Sequence, residues 1–471
     1  MPDVDGKAII EALAANVLGA RFEDLDAATV ENARWRIIDT IGCAIGGARE
    51  PSNAALIDLL RDWGGKPEAT VLGHGLRAPV HEVAMVNSIL CRSFDWGPLT
   101  LIADGRRFPT HTSETTVLTA LAVGESRGVD GRELITALVA GDDLAARLWI
   151  ASERPQPGQG PSRGQGFEPW GTITTFGAAA IAGRLLGLNR VQLRHAFGIA
   201  LNLISGAGSG LWDGATMFKL SQGSSARSGV NAAQLAKAGW TGLEDPLFGA
   251  HGSYYATLAG GCDHPERITR DLGRRFHAEV IFKPYPGGRP THAPIDAALA
   301  LRRRHDVRPE QIEEVTLRTS PPATAAHYAK PYKVGDYPTA DALFSYRYAV
   351  ASALARGTAR NEDYTEAGIR DASVQALIGK VKLASLARPE GVELEVKLRD
   401  GRVLTEYVAA ALGEPANPIG REGIYAKFMT QVEYSQTVGR ESAARLLALL
   451  ERLEEVGDVA EVVRLAVREP D

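Results

Sequence analysis

The sequence predicts a mainly α protein that carries a smaller α+β unit. Three observations support this. Apolar residues recur at helical spacing through the first half of the chain, in segments rich in Ala and Gly. Strictly alternating runs begin only after residue 277. Helical texture returns after the loop 413–418. The expected layout is a helical unit over 1–276, an α+β unit over 277–414, and C-terminal helices over 415–471 that pack back on the first unit. A length of 471 residues suits two or three domains of roughly 100–200 residues each.

The elements follow in chain order. Val30, Ala33, Ile37, Ile38 and Ile41 share one helical face, and Gly46-Gly47 stops that helix. Ser52 is the expected cap of a helix over 53–63, ended by Gly64-Gly65. Asp130 and Glu133 form a capping-box-like pair before LITALVAGDDLAARLWI. Three segments follow with small residues on successive helices: FGAAAIAGRLLGL (176–188), HAFGIALNLI (195–204) and SARSGVNAAQLAKAG (225–239). Small residues let helix axes approach closely.

HAEVIFK (277–283) then reads as a strand, and EEVTLRT (313–319) as another. Val392, Leu394, Val396 and Leu398 alternate, and Asp400-Gly401 turns the chain into Val403, Thr405 and Tyr407. Helices are expected over 294–305, 341–355 and 366–381. Leu446, Leu447, Leu450 and Leu453 form one stripe in SAARLLALLERLEEV (442–456).

Composition narrows the function classes. Lys and Arg total 52 against 57 Asp and Glu, a net charge of −5, which argues against a nucleic-acid partner. Cys43, Cys91 and Cys262 are the three cysteines, with no CxxC and no HExxH in the chain. A disulfide framework and a zinc site are therefore not expected. The N-terminal segment carries acids where a signal peptide carries basic residues. Arg184 interrupts GAAAIAGRLLGL, the best apolar run. A cytoplasmic chain without a membrane partner is the expectation.

Several segments could carry chemistry. SFDWGP (93–98) places Asp95 at a helix break, and THTSET (110–115) places His111 at a helix entrance. Lys219 is a lone cation among small residues. KPYPGGRPTH (283–292) gathers Lys283, Arg289 and His292, three potential cations suited to a polycarboxylate. Glu168 lies between apolar neighbours in GFEPWGT, where a raised carboxyl pKa would allow acid/base work. Tyr348 reads from local features as a core aromatic. GAGSGLWDG (206–214) lacks the GxGxxG order and is taken as a loop, not a dinucleotide site.

The segments ARWRIIDTIGCAIGG, SFDW, THTSE, GTITTFGAAAIAGRLLGL, KLSQGSSARSGVNAAQLAKAGWTG, KPYPGGRPTHAPIDAALAL and ALFSYRYAVASAL together resemble the MmgE/PrpD family. That family includes 2-methylcitrate dehydratase, cis-aconitate decarboxylase and iminodisuccinate epimerase. The resemblance implies an α+β lid inserted into a helical domain, a site at their junction, a homodimer, and no metal or organic cofactor. It also implies active-site positions at Asp95, His111, Lys219, Lys283 and His292, with Tyr348 as the lid tyrosine. On this basis Asp95 is expected to hydrogen-bond and orient His111 as the base, and Lys219 to stabilise an enolate or supply a proton. Lys283, Arg289 and His292 clamp carboxylates with help from Arg106 or Arg107, and Glu168 is a second acid/base.

The chain departs from the family at the pocket. Gly97-Pro98 stand where a second acidic pair is usual, and a longer loop with Arg106 and Arg107 follows. Glu168 replaces the His of FHPTGT, and Gly287-Gly288 replace a Cys or His pair. The implied activity is a lyase of the 2-methylcitrate dehydratase type acting on a small di- or tricarboxylate. The alternatives are an epimerase, isomerase or decarboxylase on the same scaffold, or a non-catalytic organic-acid-binding protein.

Overall fold

A computed structural model of the chain describes residues 4–103, 105–152, 166–167, 169–211, 213–319, 325–388 and 390–467. Helices dominate the first 240 residues. The helix Leu220–Lys237 runs against Pro169–Leu185 and Val80–Arg92. A Cβ on Gly229 would come within 2.4 Å of the Ala178 methyl. Such contacts explain why the sequence places small residues there.

The helix Ala27–Gly47 lies between Val80–Arg92 and Gly420–Ser435. On one side a Cβ at Gly47 would sit 1.8 Å from the Leu90 carbonyl oxygen, and on the other a Cβ at Gly42 would meet the Phe428 ring at 2.9 Å. The C-terminal helices thus contact the N-terminal ones directly. Among the described residues no helix is long and apolar enough to cross a membrane.

Two larger sheets flank the junction. The first has the order Arg106–Phe108, Leu99–Ala103, Glu279–Ile281, all antiparallel. The second has the order Val381–Ser385, Ile312–Thr319, Val392–Leu398, Val403–Val408. Its first pair is parallel and the others antiparallel. Val315, Leu317, Leu394 and Val396 are fully buried, on the face covered by the helix His292–His305. The observed architecture is the expected mainly α protein with an α+β unit.

Four details differ from the sequence reading. The strand in 277–283 pairs with Leu99–Ala103 and not with the sheet that follows it. Segment 366–381 is two short helices, Glu366–Ile369 and Ala372–Ile378, leading into the strand Val381–Ser385. Helix 341–355 is broken at Phe344-Ser345, and the Ser345 side chain caps the second half, Tyr346–Arg356. The cap of Pro51–Trp63 is the Glu50 side chain, which accepts from the Ser52 amide. Ser52 points instead to a lysine described below.

The Gly47 contact is with backbone, so neighbouring side chains cannot relieve it. Gly47→Ala is expected to destabilise the protein by about 3 kcal/mol, measured by urea unfolding. Gly19→Ala, a helical site with no atom within 4 Å of the added methyl, is the neutral comparison.

Candidate active site

The helix Val80–Arg92 ends in a turn where Asp95 adopts φ 46°. The left-handed region is costly for a residue with a Cβ. The turn buries Asp95 to 2% exposure and turns its carboxylate inward. Three basic groups converge on one oxygen, Asp95 Oδ1. Lys283 Nζ donates at 2.6 Å. Arg92, one helical turn back, donates from Nη1. His111 Nε2 stands 3.9 Å away. Lys283 also donates to the Asp95 carbonyl at 2.6 Å.

His111 is therefore too far from Asp95 for the expected hydrogen bond. Its orienting partner is Glu114, 3.0 Å from Nδ1 and in the first turn of the helix Ser113–Arg127. Burial would raise the Glu114 carboxyl, but His111 and Arg92 outweigh it and keep it ionised. An ionised carboxylate can only accept, so Nδ1 carries the proton and Nε2 faces Asp95 as the proton acceptor. Burial, with Arg92 nearby, lowers the His111 pKa and keeps the ring neutral at pH 7. Burial would likewise raise Asp95, yet Arg92 and Lys283 hold it far below the usual carboxylate range. Burial, assisted by Arg92, lowers Lys283.

The lid side of the cluster is aromatic. Phe218 lies under the Arg92 guanidinium, 5.4 Å from ring centre to Cζ. Phe344 packs on Phe218 at 5.6 Å, and Tyr328 on Phe344 at 6.1 Å. A Cβ on Gly288 would fall 2.0 Å from the Tyr328 hydroxyl, so this hydroxyl sits directly over the KPYP loop. Burial, with Asp95 close by, pushes the phenol pKa up and keeps Tyr328 protonated.

The other expected site residues lie apart from this cluster. Lys219 donates to Glu50 Oε2 at 2.5 Å, Ser52 Oγ at 2.7 Å and Asn53 Oδ1 at 2.9 Å. Asn53 then reaches Ser93 Oγ at 2.8 Å, so Lys219 meets the Asp95 turn through an intermediary. His292 is buried and contacts the Gly287 carbonyl from Nε2 at 3.3 Å. Burial, with Lys283 and Arg289 beside it, lowers its pKa to about 3. It is thus a neutral ring and not the third cation expected of the loop. Arg289 and Arg107 both pair with Glu414, one on each carboxylate oxygen. Arg106 is exposed, with its guanidinium over Phe108.

Tyr348 is in the core of the α+β unit. It stacks on Tyr332 at 5.6 Å and donates to the Asp363 carbonyl. The lid tyrosine at the cluster is Tyr328 instead. Glu168 lies outside the described residues.

Sequence reasoning missed Arg92, Glu114 and Tyr328. Arg92 and Glu114 sit at i−3 from Asp95 and i+3 from His111. That helical spacing was the available signal. Tyr328, in AAHYAK, had no local signal, because only the tertiary fold brings it to Gly288.

Helical scaffold, α+β unit and the cluster between them define a two-part enzyme of the MmgE/PrpD type. The family's N-terminal domain matches residues 11–265 and its C-terminal domain residues 285–455, so the chain belongs to the MmgE/PrpD family. Among its relatives is a cis-aconitate decarboxylase of Mus musculus, 26% identical over 98% of this chain and 93% of its own length. The cis-aconitate decarboxylase of Homo sapiens is 25% identical over 98% of this chain and 94% of its own length. A cis-aconitate decarboxylase-like protein of Aspergillus oryzae is 24% identical over 94% of both chains.

Two outcomes follow from these charges. Asp95→Asn removes the carboxylate shared by two buried cations. Breaking such a pair costs about 3–5 kcal/mol, read by urea unfolding at pH 7. His292 has a folded pKa of about 3 against 6.5 for a free histidine. Between those values the unfolded chain holds a proton that the folded chain does not. Stability therefore falls as pH drops through this window, by up to about 1.4 kcal/mol per pH unit. His292→Gln should flatten that decline between pH 6.5 and 4, measured as unfolding midpoint against pH.

Proposed function

We propose that this enzyme is a lyase that removes carbon dioxide from a small unsaturated tricarboxylate of the cis-aconitate type. The observation that carries the reading is the convergence of Arg92, Lys283 and His111 on Asp95 Oδ1 beneath the Tyr328 hydroxyl. Similarity along the full chain to proteins named cis-aconitate decarboxylase supports it.

Decarboxylation breaks a carbon–carboxylate bond and leaves its electron pair on carbon. The pair delocalises toward a neighbouring carboxylate, and one proton is taken up at carbon. The site has a group for each requirement. Arg92 and Lys283 are cations in a water-poor setting, where charge stabilisation is strongest. They can share a substrate carboxylate with Asp95. His111, oriented by Glu114, handles the proton. A lowered pKa makes its imidazolium, once formed, a ready donor. Tyr328 supplies a hydroxyl as a second donor, from the α+β unit.

A second reading is elimination of water, the dehydratase reaction. The neutral His111 ring with Nε2 as acceptor favours it, since α-proton removal needs a base. An epimerase would need a second proton-transfer group on the opposite face, the role expected of Glu168.

Proton NMR in D₂O separates these readings. On cis-aconitate the decarboxylase yields a new alkene product carrying one deuterium, with equimolar carbon dioxide. Alkene formed from 2-methylcitrate or citrate without carbon dioxide would establish the dehydratase instead. His111→Gln and Lys283→Met should each lower kcat/KM at least about 100-fold. A wild-type rate in both variants would refute this assignment of the site.

A further inference from the structure

Three consecutive carbonyls of the turn that carries Asp95 are taken by donors from distant segments. Phe94 O accepts from the Gly287 amide at 3.1 Å. Asp95 O accepts from Lys283 Nζ at 2.6 Å. Trp96 O accepts from Lys427 Nζ. The first two donors belong to the KPYP loop. The third comes from the C-terminal helix Gly420–Ser435.

Lys427 is 5% exposed, and its counter-charge, Asp39, is 1% exposed. Lys427 Nζ lies 2.7 Å from Asp39 Oδ1 and 2.9 Å from Oδ2. It also stands 5.4 Å over the Trp96 ring. A buried lysine–aspartate pair is no better for stability than well-packed apolar residues. Its geometric effect is specific, because a left-handed non-glycine turn persists only where its surroundings over-determine it. Lys427 holds the carbonyl just after Asp95, and the Trp96 indole donates to the Lys283 carbonyl at 3.1 Å. The turn is fastened from both flanks.

We propose that Lys427 and Asp39 are a positioning pair for the active site: Lys427 clamps the Trp96 carbonyl and fixes the turn that aims Asp95 at Lys283 and His111, and Asp39 holds Lys427 in place. The proposal rests on the Asp95–His111 cluster being the reactive site. The C-terminal segment is thereby part of the catalytic apparatus although it supplies no group to the substrate.

The pair carries a pH signature. Lys427 faces Asp39 from the C-terminal helix, Glu114 from the helix Ser113–Arg127, and Lys283 from the KPYP loop; the Cys91 thiol on Val80–Arg92 lies in the same electrostatic neighbourhood. Burial raises the Asp39 pKa to about 6 against the pull of Lys427, and Glu114 adds to the rise. Protonating Asp39 weakens its hold on Lys427, so the turn loosens as pH falls below about 6.

The test compares wild type, Lys427→Met, Lys427→Arg and Asp39→Asn. With cis-aconitate as substrate, Lys427→Met is expected to lower kcat about 10- to 100-fold with KM changed less than about threefold. Lys427→Arg keeps a donor for the Trp96 carbonyl and should recover most of the rate. Asp39→Asn should erase the acid limb near pH 6. A readout independent of turnover is the histidine NMR titration of His111, assigned by its loss in His111→Gln. Lys427→Met should move that titration by about 0.5 pH unit or more, and Lys427→Arg should leave it in place. If wild type ignores cis-aconitate, the substrate reading fails and the titration alone decides. If Lys427→Met does not fold, Asp39→Asn decides by the same titration. An unshifted His111 titration in the folded variants, or a wild-type kcat in Lys427→Met, would overturn the proposal.

Discussion

The structure depends on one buried carboxylate oxygen. Asp95 Oδ1 receives Lys283 from the KPYP loop and Arg92 from the helix before the turn, with His111 from a third segment facing it. A lone aspartate at 2% exposure would be neutralised by desolvation. Two cations reverse that balance and keep it ionised. The cations are in turn acceptable inside only because Asp95 is there. Removing either side leaves the other with an uncompensated charge. The same interaction also ties the KPYP loop to the end of a core helix.

Other ionic ties reinforce that joint. Glu414 takes Arg107 on one oxygen and Arg289 on the other, so the hairpin leading to His111 and the end of the KPYP loop meet at a single carboxylate. The Arg107 side chain is half exposed, and solvent weakens such pairs. Lys219, Glu50, Ser52 and Asn53 form a drier tie between the start of Leu220–Lys237 and that of Pro51–Trp63. Asn53 extends it to Ser93, two residues before Asp95. These groups make Lys219 a neighbour of the site through hydrogen bonds, while its ammonium is occupied by Glu50.

The parts of this arrangement legible in the sequence are those fixed by local rules. Apolar spacing gave the helices, alternation gave Val392–Leu398, and a helix break marked Asp95. The strand Val381–Ser385 escaped because its parallel partner lies more than 60 residues earlier, and no local signal reports such pairing. Asp39 and Lys427 escaped for a related reason. Each reads as a polar residue on an amphipathic helix, and only the packing of the two helices shows that both point inward. Among the tyrosines, Tyr348 carried the stronger motif, yet Tyr328 is the one whose hydroxyl reaches the loop.

Gly287 and Gly288 have a physical reason in the packing of Leu343 and Tyr328 over the loop. Gly287 adopts φ 93°, and a Cβ there would press to 2.7 Å of the Leu343 carbonyl. At Gly288 the space for a side chain is the space the Tyr328 hydroxyl occupies, 2.0 Å from the Cβ position. A Cys or His at either position would push the lid away from the loop. The bare Gly288 position thus makes room for the tyrosine hydroxyl at the loop. The loop carries no side chain at Gly288, and the Tyr328 phenol fills that space close to Asp95. Gly287 and Gly288 bring no side chain to the site, and the hydroxyl donor there comes from Tyr328. That donor is held by Phe344 and Tyr346, so its position is set by the packing of the α+β unit over the site.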